Sequence, residues 1–475
     1  MFGSLKADLA NEWSIIKPAL LKNVALKSAV LFLVWILHST DNQERRGNVL
    51  MNEIYNPNRS WIGSWIISLA DWDGLYFLQA SLADYHTLKN FAFFPGFSAV
   101  ITTANAILSQ IPVIGDFVNS IPKALVLIGL GFIINFTLHL VNNWLVYKWL
   151  RLRGHSQEQA YFAALTFGLG GNTFYHLAFY TETLYMFIVL LSLYLLTKYK
   201  NDPASIPWPQ FILLTVFFAS GGFVRSVGMP NGAYLGYPLV LELVYSLSKL
   251  KDLKRVLMVL SRILIIIGCF FTPTIYLFFK TRRLFCEEAP ARDPDFEVPE
   301  FCESPTGFFY SHIQDKYWRV KLFDYIRHPP DLFNWVWAIV TCIVSTVWLT
   351  KSYAKASVQG VLTIHLPEFL AKHDFMSARI LEMPDLVIFT IQYVGYYAYA
   401  HLGSIERFWS ATPAYYLFLV TAQQYLVQKS NAQVRSDKET LWTKVKSNSK
   451  YFVPLSLTIR QIVVPVYYAS RIYPV

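Results

Sequence analysis

Two carboxylates separated by one tryptophan, Asp71-Trp72-Asp73 with Gly74 following, stand out in a chain otherwise poor in charge. An acidic side chain next to long apolar runs is costly to hold there, so it marks a candidate for function. A carboxylate can serve as general base toward an alcohol, and a second one beside it can orient that base or the substrate. The competing reading is a solvated helix end, with Asp71 or Asp73 as N-cap. Further along, Glu182 sits in Tyr180-Thr181-Glu182-Thr183 before an apolar stretch, and Arg225, Lys316 and Arg407 supply cations. Such cations suit phosphate oxygens, the guanidinium through a two-pronged fork. The alternatives are helix-dipole stabilisation for Glu182 and snorkelling to headgroups for Arg225. His312 and Gln314 lie in YSHIQDKYW (310–318), a mixture of aromatic, acidic, basic and amide groups that suits a polyol or an amphipathic surface helix. Trp72 and Phe94 add aromatic rings to the candidates. Phe94 lies in NFAFFPGF (90–97), whose simplest reading is an aromatic belt at a membrane interface.

The elements that must position these groups are membrane helices. Of 475 residues, 54% are hydrophobic, 17% aromatic and only 15% charged, against roughly 25% charged in soluble domains. Apolar blocks recur near residues 30, 135, 190, 268, 342, 394 and 418, most of them close to the roughly 20 residues that cross a bilayer as a helix. No alternation of the kind a barrel needs is present. The fold class expected is therefore an all-α polytopic membrane protein of about a dozen helices, with 1–475 as a single membrane domain. The first apolar block lacks a small-residue cleavage site and reads as a retained span.

Lys and Arg cluster at 148–155, 198–200, 249–255 and 429–446, and by the positive-inside rule these loops are cytoplasmic. That explains the net charge of +10 without nucleic acid. The loops 39–90 and 281–330 then face the opposite compartment, and so do the candidate residues. The polar groups gather on one face and away from the midplane, and no internal repeat appears, which argues against a transporter or scramblase. One count fails: if 91–111 and 122–146 each crossed once, the basic run at 148–155 would fall outside the cytoplasm. The segment starting at NFAFFPGF is therefore expected to re-enter or lie at the interface.

Cys286 and Cys302 share a polar stretch on the non-cytoplasmic side, where an oxidising lumen lets them pair. Cys269 and Cys342 read as packing residues within apolar blocks. Asn58-Arg59-Ser60 is a glycosylation acceptor in that compartment, whereas Asn135-Phe136-Thr137 matches the pattern inside an apolar block. No metal-ligand spacing is found, and neither a metal nor a cofactor is expected.

In wording and order, Trp72-Asp73-Gly74 with Phe77-Leu78, NFAFFPGF, YTETLY (180–185), VRSVG (224–228), YSHIQDKYW and ERFWSATP (406–413) resemble the GPI mannosyltransferase II family. The resemblance implies a GT-C type multi-helix fold of 11–13 helices with helical luminal loops, in the endoplasmic reticulum membrane with its active site facing the lumen. It implies transfer of the second mannose, α-1,6-linked, from dolichyl-phosphate-mannose to the mannosyl-glucosaminyl-phosphatidylinositol intermediate, with inversion. Partners would be these two lipids, the membrane and, as an open option, a small accessory membrane subunit. Asp73 becomes the base, with Asp71 orienting it. Arg225, Lys316 and Arg407 become phosphate ligands in falling order, and Glu182, His312, Gln314, Trp72 and Phe94 sugar or acceptor ligands. One departure is Thr87-Leu88-Lys89, where family members often carry Tyr-Glu-His; a second carboxylate is absent there. Other dolichol-dependent transferases, a lipid transporter or scramblase, and a non-catalytic subunit of a transferase complex are the rival readings.

Overall fold

A computed structural model describes residues 14, 16–25, 27–29, 31–32, 63, 66–67, 69–70, 73–83, 85, 87–169, 175–199, 202–249, 253–304, 307–318, 346, 349–350, 383–399 and 412–417. Among these the regular structure is entirely helical. The helices are α1 (Asp73–Ala83), α2 (Gly96–Ser109), α3 (Pro112–Asn119), α4 (Lys123–Leu152), α5 (Gln157–Leu169), α6 (Glu182–Lys198), α7 (Trp208–Ala219), α8 (Ala233–Lys249), α9 (Leu253–Arg282), α10 (Phe309–Trp318) and α11 (Met383–Tyr399). The chain forms two compact units. One comprises Met1–Asp84, Phe97–Phe187 and Ser410–Val475; the other comprises Tyr85–Gly96 and Ile188–Trp409.

Among the described residues, two helical stretches are long and apolar enough to cross a membrane, Lys123–Leu152 and Leu253–Arg292, and α2 with α3 would make a third if taken as one broken span. Some of the apolar blocks lie outside the described residues. The 30 residues of α4 give about 45 Å of helix, more than a bilayer core needs. Its end follows from local chemistry. Gly154 adopts φ 85°, the left-handed conformation that closes a helix, and His155 N–H bonds back to the Leu150 carbonyl at 3.1 Å. Ser156 and Gln159 then start α5 with a reciprocal capping box, at 2.8 and 3.3 Å.

The segment that failed the span count turns on itself. The 14 residues of α2 extend only about 21 Å, and α3 departs at 118°. The break falls at Gln110-Ile111, just before Pro112. Ile107, Val113 and Phe117 project outward around the bend, as lipid-facing side chains do.

Two expectations need correction. The aromatic run 90–97 is not an interfacial belt: Phe91 and Phe97 are wholly buried, and Phe93 and Phe94 nearly so. The stretch after Thr281 is helical at its start, where the helix continues through a π-helical turn, Arg283–Glu288, and the short helix Ala289–Arg292. Nor do the polar residues gather at one mouth. Asn135, His139, Asn142 and Asn143 are fully buried midway along α4, at the i, i+4, i+7 and i+8 positions of one face. The amides of Asn135, Asn142 and Asn143 donate to carbonyls of the protein's own backbone.

Candidate active site

In the first unit, the start of α1 rests on a buried stretch of irregular backbone. Asp73 opens α1 and is half-buried. A methyl group added to Gly74 would lie 3.3 Å from the Phe179 carbonyl oxygen and 3.4 Å from the Tyr180 ring. Just upstream, the Leu69 carbonyl accepts a hydrogen bond from Phe179 N–H at 2.8 Å. Phe97 joins the two pieces through edge-to-face contacts with Phe77 and Phe179, at 5.9 and 5.1 Å. The Ser98 hydroxyl donates to the Phe77 carbonyl at 3.1 Å.

Residues 175–181 are non-helical, and at membrane depth such backbone persists only when its polar groups are satisfied from within. Asn135 does this: its amide donates to the carbonyls of Ala178 at 2.6 Å and Tyr180 at 3.0 Å. One turn earlier on the same face, Gly131 leaves room for Phe179, whose ring would lie 2.4 Å from any Cβ there. Asn142 donates to the Thr183 carbonyl at 2.9 Å, and the Thr183 hydroxyl donates to the His176 carbonyl at 2.6 Å. The result is a helix, α6, that begins inside the protein with Glu182 in its first turn. Glu182 is 0% exposed, so it belongs to the interior and not to a solvated helix mouth. Next to Asp73 on α1, burial and then the Asp73 carboxylate push the Tyr76 phenol above its ordinary range. A carboxylate thus stands at the N-terminus of a helix seated on a second carboxylate-bearing segment.

The second unit gathers Arg225, Phe94 and the first turn of α10. Arg225 is extended, at φ −147° and ψ 143°, between two helical turns, with its N–H bonded to the Gly221 carbonyl at 2.9 Å. It is 8% exposed, which removes snorkelling as its explanation. Gly96 packs so closely on the residues before it that an added Cβ would meet Val224 Cγ2 at 2.8 Å and the Phe223 carbonyl at 2.9 Å. The ring of Phe94 meets Tyr310 edge-to-face at 5.9 Å. The Tyr310 hydroxyl is 3.4 Å from that of Ser226. Burial pushes the Tyr310 phenol up, while the Ser226 hydroxyl and the Arg225 guanidinium pull it the other way.

On α10, His312 Nδ1 stands 3.9 Å from Glu300 Oε2 and its ring 5.6 Å from that of Phe301. Gln314 is partly exposed and Lys316 exposed. At the departing position before the aromatic run, Lys89 lies over the Tyr317 ring at 4.7 Å. Cys286 and Cys302 are joined by a disulfide with Cα atoms 5.6 Å apart. Beneath it, Arg282 donates to the Ser304 carbonyl at 2.7 Å, tying the helical extension to the segment leading into α10.

The structure thus brings Asp73–Gly74 against the backbone that leads into Glu182, and separately brings Phe94, Arg225 and Tyr310 together. Asp71, Trp72, Arg407 and Asn58 lie outside the described residues. Asn135 is fully buried with its amide engaged, so its glycosylation pattern is not an acceptor site. Among the described residues no group of three or more His, Cys, Asp or Glu could hold a metal ion. Asn135 and Asn142 were missed from the sequence, yet polar residues at i, i+4, i+7 in an apolar block were a usable signal.

A family model described as Mannosyltransferase (PIG-V) matches residues 17–465. The chain is similar to GPI alpha-1,6-mannosyltransferase 2 of Homo sapiens, with 24% identity over 411 residues, 80% of this chain and 77% of that protein. The protein of the same name from Rattus norvegicus is 26% identical over 317 residues, 63% of this chain and 60% of the relative. Among solved structures, an oligosaccharyltransferase of Archaeoglobus fulgidus aligns with 10% identity and a TM-score of 0.42, covering 93% of this chain and 55% of that one.

Proposed function

The chain belongs to the PIG-V mannosyltransferase family, and we propose that it adds an α-1,6-linked mannose, the second of the glycan, to a mannosyl-glucosaminyl-phosphatidylinositol intermediate, with dolichyl-phosphate-mannose as donor. As a member of that family it is a glycosyltransferase. The acceptor and linkage rest on the names of relatives that match most of its length. On this reading it is a GT-C type enzyme of the endoplasmic reticulum membrane working at the luminal face, where the positive-inside rule puts the start of α1.

The observation that supports the chemical role of Asp73 is its place at the head of α1, with Gly74 against the Phe179 carbonyl and buried Glu182 three residues further along that segment. The Asp73 carboxylate takes the proton of the acceptor 6-hydroxyl as that oxygen bonds to the anomeric carbon. The bond from that carbon to the phosphate oxygen breaks, and dolichyl phosphate leaves with the electron pair. A single displacement inverts the β-linked donor to an α-linked product. Arg225, whose burial strengthens its field, is the first choice for the departing phosphate, with Lys316 and Arg407 behind it. Asp71, Glu182, His312, Gln314, Trp72 and Phe94 orient the acceptor and its sugar hydroxyls.

Asp73→Asn tests this. In cells lacking the native protein, the variant should reach the membrane at normal abundance, fail to restore anchored surface proteins and accumulate the one-mannose lipid. Removal of a general base is expected to cost about 10²–10⁴ in rate. Full restoration by the variant would overturn the role of Asp73, and accumulation of a different intermediate would overturn the acceptor.

A further inference from the structure

A cavity of about 520 Å³ opens in the second unit at the junction of α7 and α9, a size that holds a small polar headgroup. One wall is the turn Asp202–Trp208, which contributes Asp202, Ser205 and Trp208; the other is the first turns of α9, which contribute Lys254, Arg255 and Met258. The basic runs at 198–200 and 249–255 put this end of both helices on the cytoplasmic side.

The first wall is held by a cation inside a membrane-spanning helix. Arg262, 3% exposed on α9, donates to the Pro203 carbonyl and, at 2.7 Å, to the Ile206 carbonyl. Its guanidinium stacks 4.7 Å from the rings of both Trp208 and Phe211. An intramembrane arginine is expensive, and here it fixes the turn that borders the cavity. Asp202 shapes the same turn by accepting the Ala204 N–H at 3.0 Å. On the second wall, buried Glu242 grips Arg255 through its Nε, and Lys254 is exposed beside it with no ion pair among the described residues. Lipid-facing apolar side chains continue from the cavity along both helices: Leu213 and Val216 on α7, Leu257 and Leu264 on α9.

We propose that this cavity seats the headgroup of an anionic phospholipid of the cytoplasmic leaflet, of the phosphatidylinositol class. Lys254 and Arg255 meet the phosphodiester, as basic residues at the cytoplasmic ends of membrane helices do. The Asp202 carboxylate and Ser205 hydroxyl accept from ring hydroxyls. Asp202 also disfavours headgroups carrying further phosphates, and the acyl chains follow the apolar side chains of α7 and α9.

The test is native mass spectrometry of the purified full chain in nanodiscs containing equal amounts of phosphatidylinositol, phosphatidylserine, phosphatidylcholine and phosphatidylinositol bisphosphate. Phosphatidylinositol should be retained preferentially, and Lys254→Glu, a substitution at an exposed helix position, should reduce its retention about tenfold or more. Lys254→Gln gives an intermediate loss if the charge acts on phosphate, and the thermal midpoint of each variant reports folding. Equal or tighter retention of any other lipid, or unchanged retention in the folded Lys254→Glu protein, overturns the proposal. Displacement by millimolar inorganic phosphate would identify a soluble-anion site and overturn it as well.

Discussion

Replacing Asn135 by leucine removes an amide from the middle of a membrane helix while keeping a side chain of similar size. Two carbonyls, of Ala178 at 2.6 Å and Tyr180 at 3.0 Å, then lose their donor inside the protein. A buried carbonyl without a partner costs about 1–3 kcal/mol, so the gross loss is about 2–6 kcal/mol. Two effects reduce it. Asn135 Oδ1 itself has no hydrogen-bond partner, and deleting it returns about 1–3 kcal/mol. In addition, interhelical polar contacts within bilayers average only about 0.6 kcal/mol, because the unfolded inserted chain finds other partners. The net expectation is about 1–3 kcal/mol, read as a lower thermal midpoint in detergent. The same segment seats Gly74 and leads into Glu182, so mannosyl transfer should fall by about fivefold to a hundredfold if the loosening is carried into the barrier. Asn135→Asp, which offers the two carbonyls only acceptors when ionised, should be worse than leucine. A leucine variant with wild-type midpoint and wild-type transfer would refute the idea that Asn135 holds the segment leading into Glu182.

Two further substitutions probe the second unit. Gly96→Val drives a side chain into Val224 and the Phe223 carbonyl, so it should cost about 1–3 kcal/mol by overpacking, displace Arg225 and raise the KM for the lipid donor; an unchanged KM and midpoint would show that the close approach is tolerated. Cys286→Ser opens the disulfide that closes a stretch of sequence separation 16, worth about 3 kcal/mol. It should lower the midpoint and abolish the mobility difference between reduced and unreduced protein on a gel, and a mobility difference that persists would refute the pairing.

Much of the architecture was legible locally. The spans α4 and α9 are continuous apolar blocks, and hydropathy depends only on neighbours in sequence. The mismatch in the span count singled out residues 91–111, which lead into a bend of 118°, since an odd or even number of spans is a constraint that needs no tertiary contact. Asp73 and Glu182 were visible because a carboxylate is conspicuous among apolar residues.

The rest depended on partners distant in sequence. Asn135 and the carbonyls that it satisfies are separated by 43 and 45 positions, so its local sequence did not name the backbone that it supports. The burial of Glu182, the packed interior role of Phe91 and Phe97, and the exclusion of snorkelling for Arg225 are facts about what surrounds these side chains, and no periodicity encodes that. The polar stripe on α4 looked like a membrane block with scattered amides until the irregular segment 175–181 supplied the carbonyls that require them. Sequence alone determined that this chain crosses a membrane and carries a conspicuous carboxylate, Asp73, which the structure places at the head of a helix. Only the tertiary structure decided that this helix head rests on buried backbone leading to a second carboxylate, because the cost of unsatisfied carbonyls at membrane depth is met by an amide from another helix.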